Sequence, residues 1–456
     1  MTTPPSDSEA QRLDLHGPLA RTVWQLAAPA VVTMLLQFVG GLADMYFVGR
    51  LGPAAQACVG MGGHVALLLM AGSMAVTTGA VAVMSRHEGA RERTSVVRTA
   101  QQCMLLSAVL ALVAGAIVYA LRREILGWLG ADLQVIRAGE QYLVFQALGT
   151  LPQFILLACT AILQSLGDLR TPLRIVAVVT AVNVLLDAVL VAGGAGIPAF
   201  GVVGAGMASA SSRTAGALAA MALLSRSGFW TDAPPWRADS GEWLRILRIG
   251  YPTALQNILR NLAFAGYTQI LATSPQGTSA VAALFVGIRA EGLGYMPGVA
   301  YGRAASTLVG QSLGAGLPER ARQFGWVCTW QALAVMSVFS ALFYVGAHPI
   351  AAMFSQDPRV VELAASYLRI NALAEPTLAF SIVLGGALQG AGDTRFQALV
   401  SVLCMWIVRL PATWWLMSRL GYGADAAWWT MAGSTAIQAV LIVWRFRRGA
   451  WQKIRV

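Results

Sequence analysis

Four carboxylates interrupt long apolar stretches of the sequence, where an ionised side chain is costly. They are Asp44, Asp187, Glu291 and Glu375. A charge at the centre of a lipid bilayer costs about 2.5–3.5 kcal/mol on insertion scales, so such residues are rare and usually functional. In a site with little water, a carboxylate can bind a proton or a hard metal cation. These four acids are therefore the first candidates for chemistry.

The composition is typical of an integral membrane protein. Apolar residues make up 57% and charged residues 12% of the 456-residue chain, whereas a soluble domain carries about 25% charged residues. We attribute the net charge of +11 to loop arginines that fix membrane orientation, and we expect no nucleic-acid partner. The five cysteines form no C-x-x-C or Cys/His cluster, which argues against a disulfide framework or a zinc site.

The apolar runs predict twelve membrane-spanning helices, because about 20 apolar residues are needed to cross the hydrocarbon layer. The predicted spans are 23–48, 55–84, 95–121, 139–163, 173–195, 202–225, 246–272, 279–309, 323–346, 360–389, 397–417 and 425–445. Arginine and lysine are concentrated in the loops of one side, which predicts that both termini are cytoplasmic. We expect a multi-pass protein of the bacterial inner (plasma) membrane.

The two halves of the chain resemble each other. The octapeptide LQSLGDLR at Leu163–Arg170 returns as LQGAGDTR at Leu388–Arg395, and Asp168 and Asp393 are expected to cap the following helices. Six spans per half predict a parallel repeat, with the substrate path between the halves. The predicted organisation is an N-terminal tail at 1–22, an N-lobe at 23–225, a cytoplasmic linker at 226–245, a C-lobe at 246–445 and a C-terminal tail at 446–456.

These features together resemble the multidrug and toxic compound extrusion (MATE) transporters. The resemblance is carried by DMYFVGRLG after Pro29, by the two LQxxGDxR loops and by the six-plus-six layout. It implies an all-α fold of twelve transmembrane helices in two pseudo-symmetric six-helix bundles, arranged as a V. It also implies a secondary transporter, not an enzyme, that exports organic, often cationic or lipophilic compounds by alternating access. We expect a monomer that needs no cofactor besides its coupling ion, H⁺ or Na⁺.

One polar pocket is predicted in the N-terminal half. Asn183 and Asp187 are four residues apart and therefore share one face of the fifth span. A rise of about 1.5 Å per residue places Asp44, Asp187 and Ser209 in the outer half of the membrane. In the DinF-like branch of the family, the matching positions form a cation site, which the resemblance carries to Asp44, Asn183 and Asp187. Ser209 is a weaker match, because threonine is common there.

The residue types of this pocket suit either a proton or sodium. Desolvation and mutual repulsion favour a proton on one of two neighbouring carboxylates. Carboxylates, an amide carbonyl and a hydroxyl group also suit Na⁺, which would bind at Asp44, Asn183 and Asp187. We favour H⁺ as the coupling ion and keep Na⁺ as the alternative.

The C-terminal half departs from the NorM-like branch, where acids on helices seven and ten bind a cation. Those positions are Arg260 and Leu378 here, which predicts that this acidic site is absent and favours the DinF-like branch. Glu375 lies about one turn away. For Glu291 we predict an ion pair with one of several arginines, and a gating or substrate-binding role is the alternative. The candidate partners are Arg213, Arg260, Arg289 and Arg409.

The remaining candidates concern the substrate and the conformational change. Apolar and polar side chains on the first, second and fourth spans are candidates for an adaptable wall of a substrate cavity, although helix packing accounts for them equally well. They are Met34, Gln37, Phe38, Met61 and Tyr142, with Arg260 and Glu291 from the other half. Pro29 is a candidate hinge, with a static kink as the alternative.

A rival function of the same superfamily is a lipid-linked saccharide flippase. The flippase stays an alternative because such a protein needs cationic cavity residues, and the candidates for them are Arg260, Arg289 and Arg303. A membrane enzyme is disfavoured, because the sequence has no H-E-x-x-H or G-x-S-x-G motif.

Overall fold

The computed structural model describes residues 13–130, 132–193, 196, 198–231, 233–454 and 456. Among these residues fourteen helices occur and no strand, which confirms the predicted all-α fold. The helices are α1 (Leu19–Gly49), α2 (Pro53–Gly89), α3 (Arg93–Ala120), α4 (Arg122–Trp128), α5 (Leu133–Ser165), α6 (Arg170–Leu190), α7 (Val202–Arg226), α8 (Ser240–Ala272), α9 (Gly277–Gly314), α10 (Pro318–Val345), α11 (Ala347–Phe354), α12 (Pro358–Gly390), α13 (Thr394–Arg419) and α14 (Ala424–Arg448).

Twelve of these helices are long, and each coincides with one predicted span. Within the described part of the chain, nine are both long and apolar enough to cross a membrane, and α7, α8 and α9 are the three long helices outside that group. Parts of the predicted tails and linker lie outside the described residues, namely 1–12, 232 and 455.

The structure adds two short helices that the sequence analysis missed. α4 has 7 residues and follows α3, while α11 has 8 residues and follows α10. Both come directly after the third long helix of a half, so they extend the internal repeat. They were missed because a search for runs of about 20 apolar residues cannot detect helices of two turns.

The two repeated octapeptides form the same turn. Gly167 and Gly392 adopt φ values of 86° and 85°, which only glycine accepts readily. The amide groups of Asp168 and Asp393 donate to the carbonyl oxygens five residues earlier, at 2.9 and 2.8 Å. This agreement supports a genuine structural repeat.

The two aspartates of these loops have different roles. Asp168 caps α6, because its Oδ1 accepts from the amide groups of Arg170 and Thr171 at 2.9 Å each. Asp393 does not cap α13. Its Oδ2 instead accepts from Arg445 Nε at 2.8 Å, so the capping prediction was wrong for this residue.

Contacts between residues divide the chain into two compact units. The first unit contains Val32–Tyr251, and the second combines Asp14–Val31 with Pro252–Val456. The division therefore falls inside α1, just after Pro29, and inside α8, just before Pro252. The predicted lobes have other bounds and stay a prediction.

Glycines bring the backbones of α2 and α8 into direct contact within the first unit. A Cβ atom added at Gly79 would overlap the carbonyl oxygen of Ile246, and one added at Gly250 would overlap that of Ala75. Small residues commonly allow such close helix packing in membranes. These two reciprocal contacts attach the beginning of α8 to α2.

We expect Gly79→Val to destabilise the protein strongly, because the backbone of α8 cannot yield as a flexible side chain can. Overpacking typically costs about 1–3 kcal/mol. Gly63→Val on the same helix is the matched control, since a Cβ atom there meets nothing within 4 Å. Thermal unfolding of the purified protein in detergent should show a lower midpoint for Gly79→Val alone, and equal midpoints would contradict this packing.

The linker between the halves is attached to α3. Gln102 is 2% exposed, and it donates to the carbonyl oxygen of Arg237 at 2.8 Å while accepting from the amide group of Asp239 at 3.0 Å. Gln101 donates to the carbonyl oxygen of Pro234 at 2.8 Å. The described part of the linker is therefore held by buried side chains of α3.

Asp239 adds further hydrogen bonds to this attachment at the start of α8. Its Oδ1 accepts from the amide groups of Gly241 and Glu242 at 2.9 and 3.3 Å, and its Oδ2 accepts from Arg98 at 2.7 Å. The backbone amide of Glu242 and then the Arg98 guanidinium lower the pKa of Asp239. Asp239 is consequently an ionised N-cap at neutral pH.

We expect Gln102→Leu to make the linker more sensitive to trypsin at Arg237, because the backbone groups of Arg237 and Asp239 lose the side chain that holds them, at about 0.5–1.5 kcal/mol for each hydrogen bond. Arg98→Ala is the comparison. Its ion pair is exposed, with 60% of the Arg98 side chain accessible, and such pairs contribute about 0–1 kcal/mol. Limited digestion should separate the variants, and equal cleavage rates would show that Gln102 does not hold the linker.

Candidate cation-coupling site

The site in the first unit is built around an acid and an amide on α6. The four-residue spacing places Asn183 and Asp187 on one face, and Asn183 Nδ2 donates to Asp187 Oδ2 at 3.3 Å. Asp187 is only 1% exposed. An ionised carboxylate can only accept hydrogen bonds, so Asn183 presents its nitrogen and not its carbonyl oxygen.

Asp44 on α1 joins this pair. Its carboxyl group is close enough to that of Asp187 for a side-chain hydrogen bond, which requires a proton on one of the two. The Oδ1 atoms of Asp44 and Asp187 are both buried without a hydrogen-bond partner. Two adjacent carboxyl groups with unpartnered oxygens form a site that can gain and lose a proton or bind a cation.

A tyrosine and an arginine complete the surroundings of the acids. Tyr142 on α5 interacts electrostatically with Asp44, Asp187 and Arg213. Its ring is accommodated by two glycines, since a Cβ atom at Gly62 would overlap it and one at Gly206 would lie 3.2 Å from it. The predicted cavity residue Tyr142 is therefore a neighbour of the acid pair.

Arg213, which was not predicted to belong to this site, is also a neighbour of the acids. Its guanidinium interacts with Asp44 and Tyr142, and its Nη1 donates to Gln146 Oε1 at 3.4 Å. The available signal was its position on α7 four residues after Ser209, which places both on one helix face. A fixed positive charge is thus part of the pocket.

Ser209 is half-buried on α7. Its backbone oxygen accepts from the Ser212 hydroxyl group at 3.1 Å, which does not involve the Ser209 side chain. The role of its hydroxyl group at the cation site stays a prediction.

The proposed substrate-wall residues differ in exposure. Met34 is buried at 4%, Met61 packs partly buried against a core cluster, Phe38 is half-buried and Gln37 is exposed. Their assignment to a substrate cavity stays a prediction. The hinge at Pro29 also stays a prediction, since α1 runs through this residue as one helix.

The second unit has its own polar cluster around Glu291. The Tyr367 hydroxyl group donates to Glu291 Oε2, and a Cβ atom at Gly287 would overlap the Tyr367 ring. Arg409 interacts with Glu291 electrostatically, without forming one of the direct ion pairs described for the chain. Tyr367, which the sequence analysis missed, is thus the direct partner in place of an arginine.

Two other candidate arginines are exposed. Arg260 donates from Nη2 to Asn257 Oδ1 at 2.7 Å, and Arg289 lies exposed on α9. Whether Arg260 and Glu291 contact substrate stays a prediction.

Comparisons with known proteins show the family to which the chain belongs. The MatE family model matches residues 29–189 and 252–415, together more than half of the chain. A probable multidrug resistance protein NorM of Thermotoga maritima is 28% identical over 442 residues, covering 94% of this chain and 92% of that protein. The multidrug resistance protein NorM of Burkholderia vietnamiensis is 28% identical over 434 residues and covers 92% of each chain.

Solved structures show the same fold. A MOP superfamily transporter from Pyrococcus furiosus superposes with a TM-score of 0.90 at 19% identity and covers 100% of both chains. The Vibrio cholerae MATE transporter VcmN in its bent form gives a TM-score of 0.86 at 20% identity, covering 94% of this chain and 97% of that one. With twelve long helices, two similar halves and a family match in each half, the chain belongs to the MatE family of membrane transporters.

Proposed function

We propose that the protein exports drug-like organic compounds, cationic ones included, in exchange for protons that bind at Asp44 and Asp187. The observation that carries this proposal is the pair of facing carboxyl groups, each with a buried oxygen that lacks a partner. The efflux of drugs is suggested by relatives that are named multidrug resistance proteins. Inner-membrane location, cytoplasmic termini, a monomeric state and the DinF-like branch belong to the same proposal.

A proton suits this pocket better than sodium because of the ligands that each ion needs. Arg213 supplies a positive charge beside Asp44, and this charge opposes the binding of either cation. Sodium also needs several oxygen ligands, whereas Asn183 offers its nitrogen to Asp187. A proton needs only one carboxylate oxygen, and it removes the repulsion between the two acids.

In the proposed cycle, an external proton neutralises one acid of the pair and changes which conformation is stable. The loss of charge weakens the attraction to Arg213 and strengthens the link between the two carboxyl groups. α1 carries Asp44 and would respond by rearranging near Pro29, which releases the exported compound outward. Return of the pair to its charged state on the cytoplasmic-facing side resets the site.

We expect Asp44→Asn and Asp187→Asn each to lower efflux driven by a pH gradient at least tenfold, since an amide cannot carry the exchanged proton. Ethidium efflux from proteoliposomes is the measurement, under an imposed pH gradient and then an imposed Na⁺ gradient. Glu319→Gln is the control, because 73% of that side chain is exposed. Full pH-driven efflux by Asp44→Asn would exclude this coupling site, and efflux driven by Na⁺ alone would exclude the proton version.

We expect Arg213→Gln to increase inhibition of ethidium efflux by external Na⁺. A unit charge about 8 Å from a cation costs about 2 kcal/mol at an effective dielectric constant of about 20, so its removal should strengthen sodium binding roughly 30-fold. Arg213→Lys keeps the charge and should retain the wild-type response. If both variants respond to Na⁺ as the wild type does, Arg213 does not oppose sodium binding at this site.

A further inference from the structure

An acid on α12 is buried without a partner. Glu375 is 1% exposed, and neither carboxyl oxygen has a hydrogen-bond partner. The other acid of the polar cluster in this unit, Glu291, differs from it because Glu291 accepts a hydrogen bond from Tyr367. An ionised carboxylate buried in this way would carry its full desolvation cost, so the burial of Glu375 favours its neutral, protonated form.

The surroundings of Glu375 are apolar on the sides that α9 and α10 provide. A Cβ atom at Gly294 would lie 3.1 Å from Glu375 Oε1 and 2.9 Å from the Phe343 ring, with Phe339 at 3.3 Å. Gly294 therefore leaves just enough room for the carboxyl group. The next residue of α12 is Pro376, whose ring interrupts the helix hydrogen bonds.

The charged group that acts on Glu375 is Glu291 of α9. The positive charge acting on Glu291 comes from Arg409 of α13, which donates to the hydroxyl groups of Ser434 at 2.8 Å and Thr435 at 3.1 Å on α14. This cluster thus contains two carboxyl groups and one guanidinium. One ionised acid can be compensated by Arg409, whereas a second ionised acid would have no compensating charge in this cluster.

The position of Arg409 depends on irregular helix geometry. It ends a π-helical segment, Cys404–Arg409, shortly before Pro411. Proline lacks an amide hydrogen, so the preceding turn cannot close normally and widens. π-helical turns are frequent at functional sites, and here one holds the cation that compensates Glu291.

We propose that Glu375 is a second proton-binding site of the transporter, separate from Asp44 and Asp187. It binds one proton in the conformation described here and releases that proton to water when the second unit changes conformation. Glu291 keeps its hydrogen bond with Tyr367 and its interaction with Arg409, so the Glu375 proton is the one that is exchanged. The inference rests on the proposed proton coupling, and it adds one proton to each transport cycle.

The test uses proteoliposomes with a fixed pH gradient of about one unit and with the membrane potential clamped at zero. The measured quantity is the largest ratio of ethidium concentrations across the membrane that this pH gradient maintains. Each coupled proton supports a roughly tenfold ethidium gradient per pH unit, since a factor of ten equals about 1.4 kcal/mol. We expect Glu375→Gln, which mimics the protonated acid, to lower this gradient about tenfold. Glu362→Gln on the exposed face of α12 is the matched control and should leave it unchanged.

A gradient in Glu375→Gln equal to that of the wild type would overturn the proposal. Infrared spectroscopy is the second measurement: the carboxylic acid C=O band of the wild type should lose intensity in Glu375→Gln, or shift in Glu375→Asp if the glutamine variant does not fold. An unchanged band would mean that Glu375 is ionised, and it would also overturn the proposal. Asp44→Asn separates the two sites, because an unchanged gradient in that variant overturns only the first site.

Discussion

The cost of an unpaired charge in a place without water governs how this protein arranges its polar side chains. Asp187 accepts from Asn183, Glu291 accepts from Tyr367, and Arg409 donates to Ser434 and to its neighbour on α14. Each of these contacts replaces water that the bilayer excludes. Among the acids of the described residues, Asp44, Asp187 and Glu375 keep buried carboxyl oxygens without a hydrogen-bond partner, and the proposed proton sites lie there.

Duplication supplied two similar helical frames that carry different polar groups. The turns at Gly167 and Gly392 agree in φ to within a degree, and two short helices occupy equivalent positions. The acids, however, lie on α1 and α6 in the first unit and on α9 and α12 in the second. The repeat thus determines the arrangement of the helices in each half. Substitutions within each half determine which pair of helices carries the acids.

Glycine has a consistent part in building these sites. Gly62 and Gly206 make room for the Tyr142 ring beside the first acid pair, Gly287 does so for Tyr367, and Gly294 makes room for the Glu375 carboxyl group. In each case a methyl group would occupy space that the neighbouring polar side chain needs. In this fold, glycines that allow close helix packing therefore also make room for polar side chains.

The sequence by itself determined the fold class, the twelve long helices and the pairing of Asn183 with Asp187, because apolar length and helical periodicity are local properties. It could not find α4 or α11, which are too short to give an apolar signal. It also could not choose the partner of Glu291 or the hydrogen bonds of Asp393, since both depend on side chains of distant helices. Only the tertiary structure decided which polar groups meet, because the cost of burial is settled by three-dimensional neighbours and not by residue type.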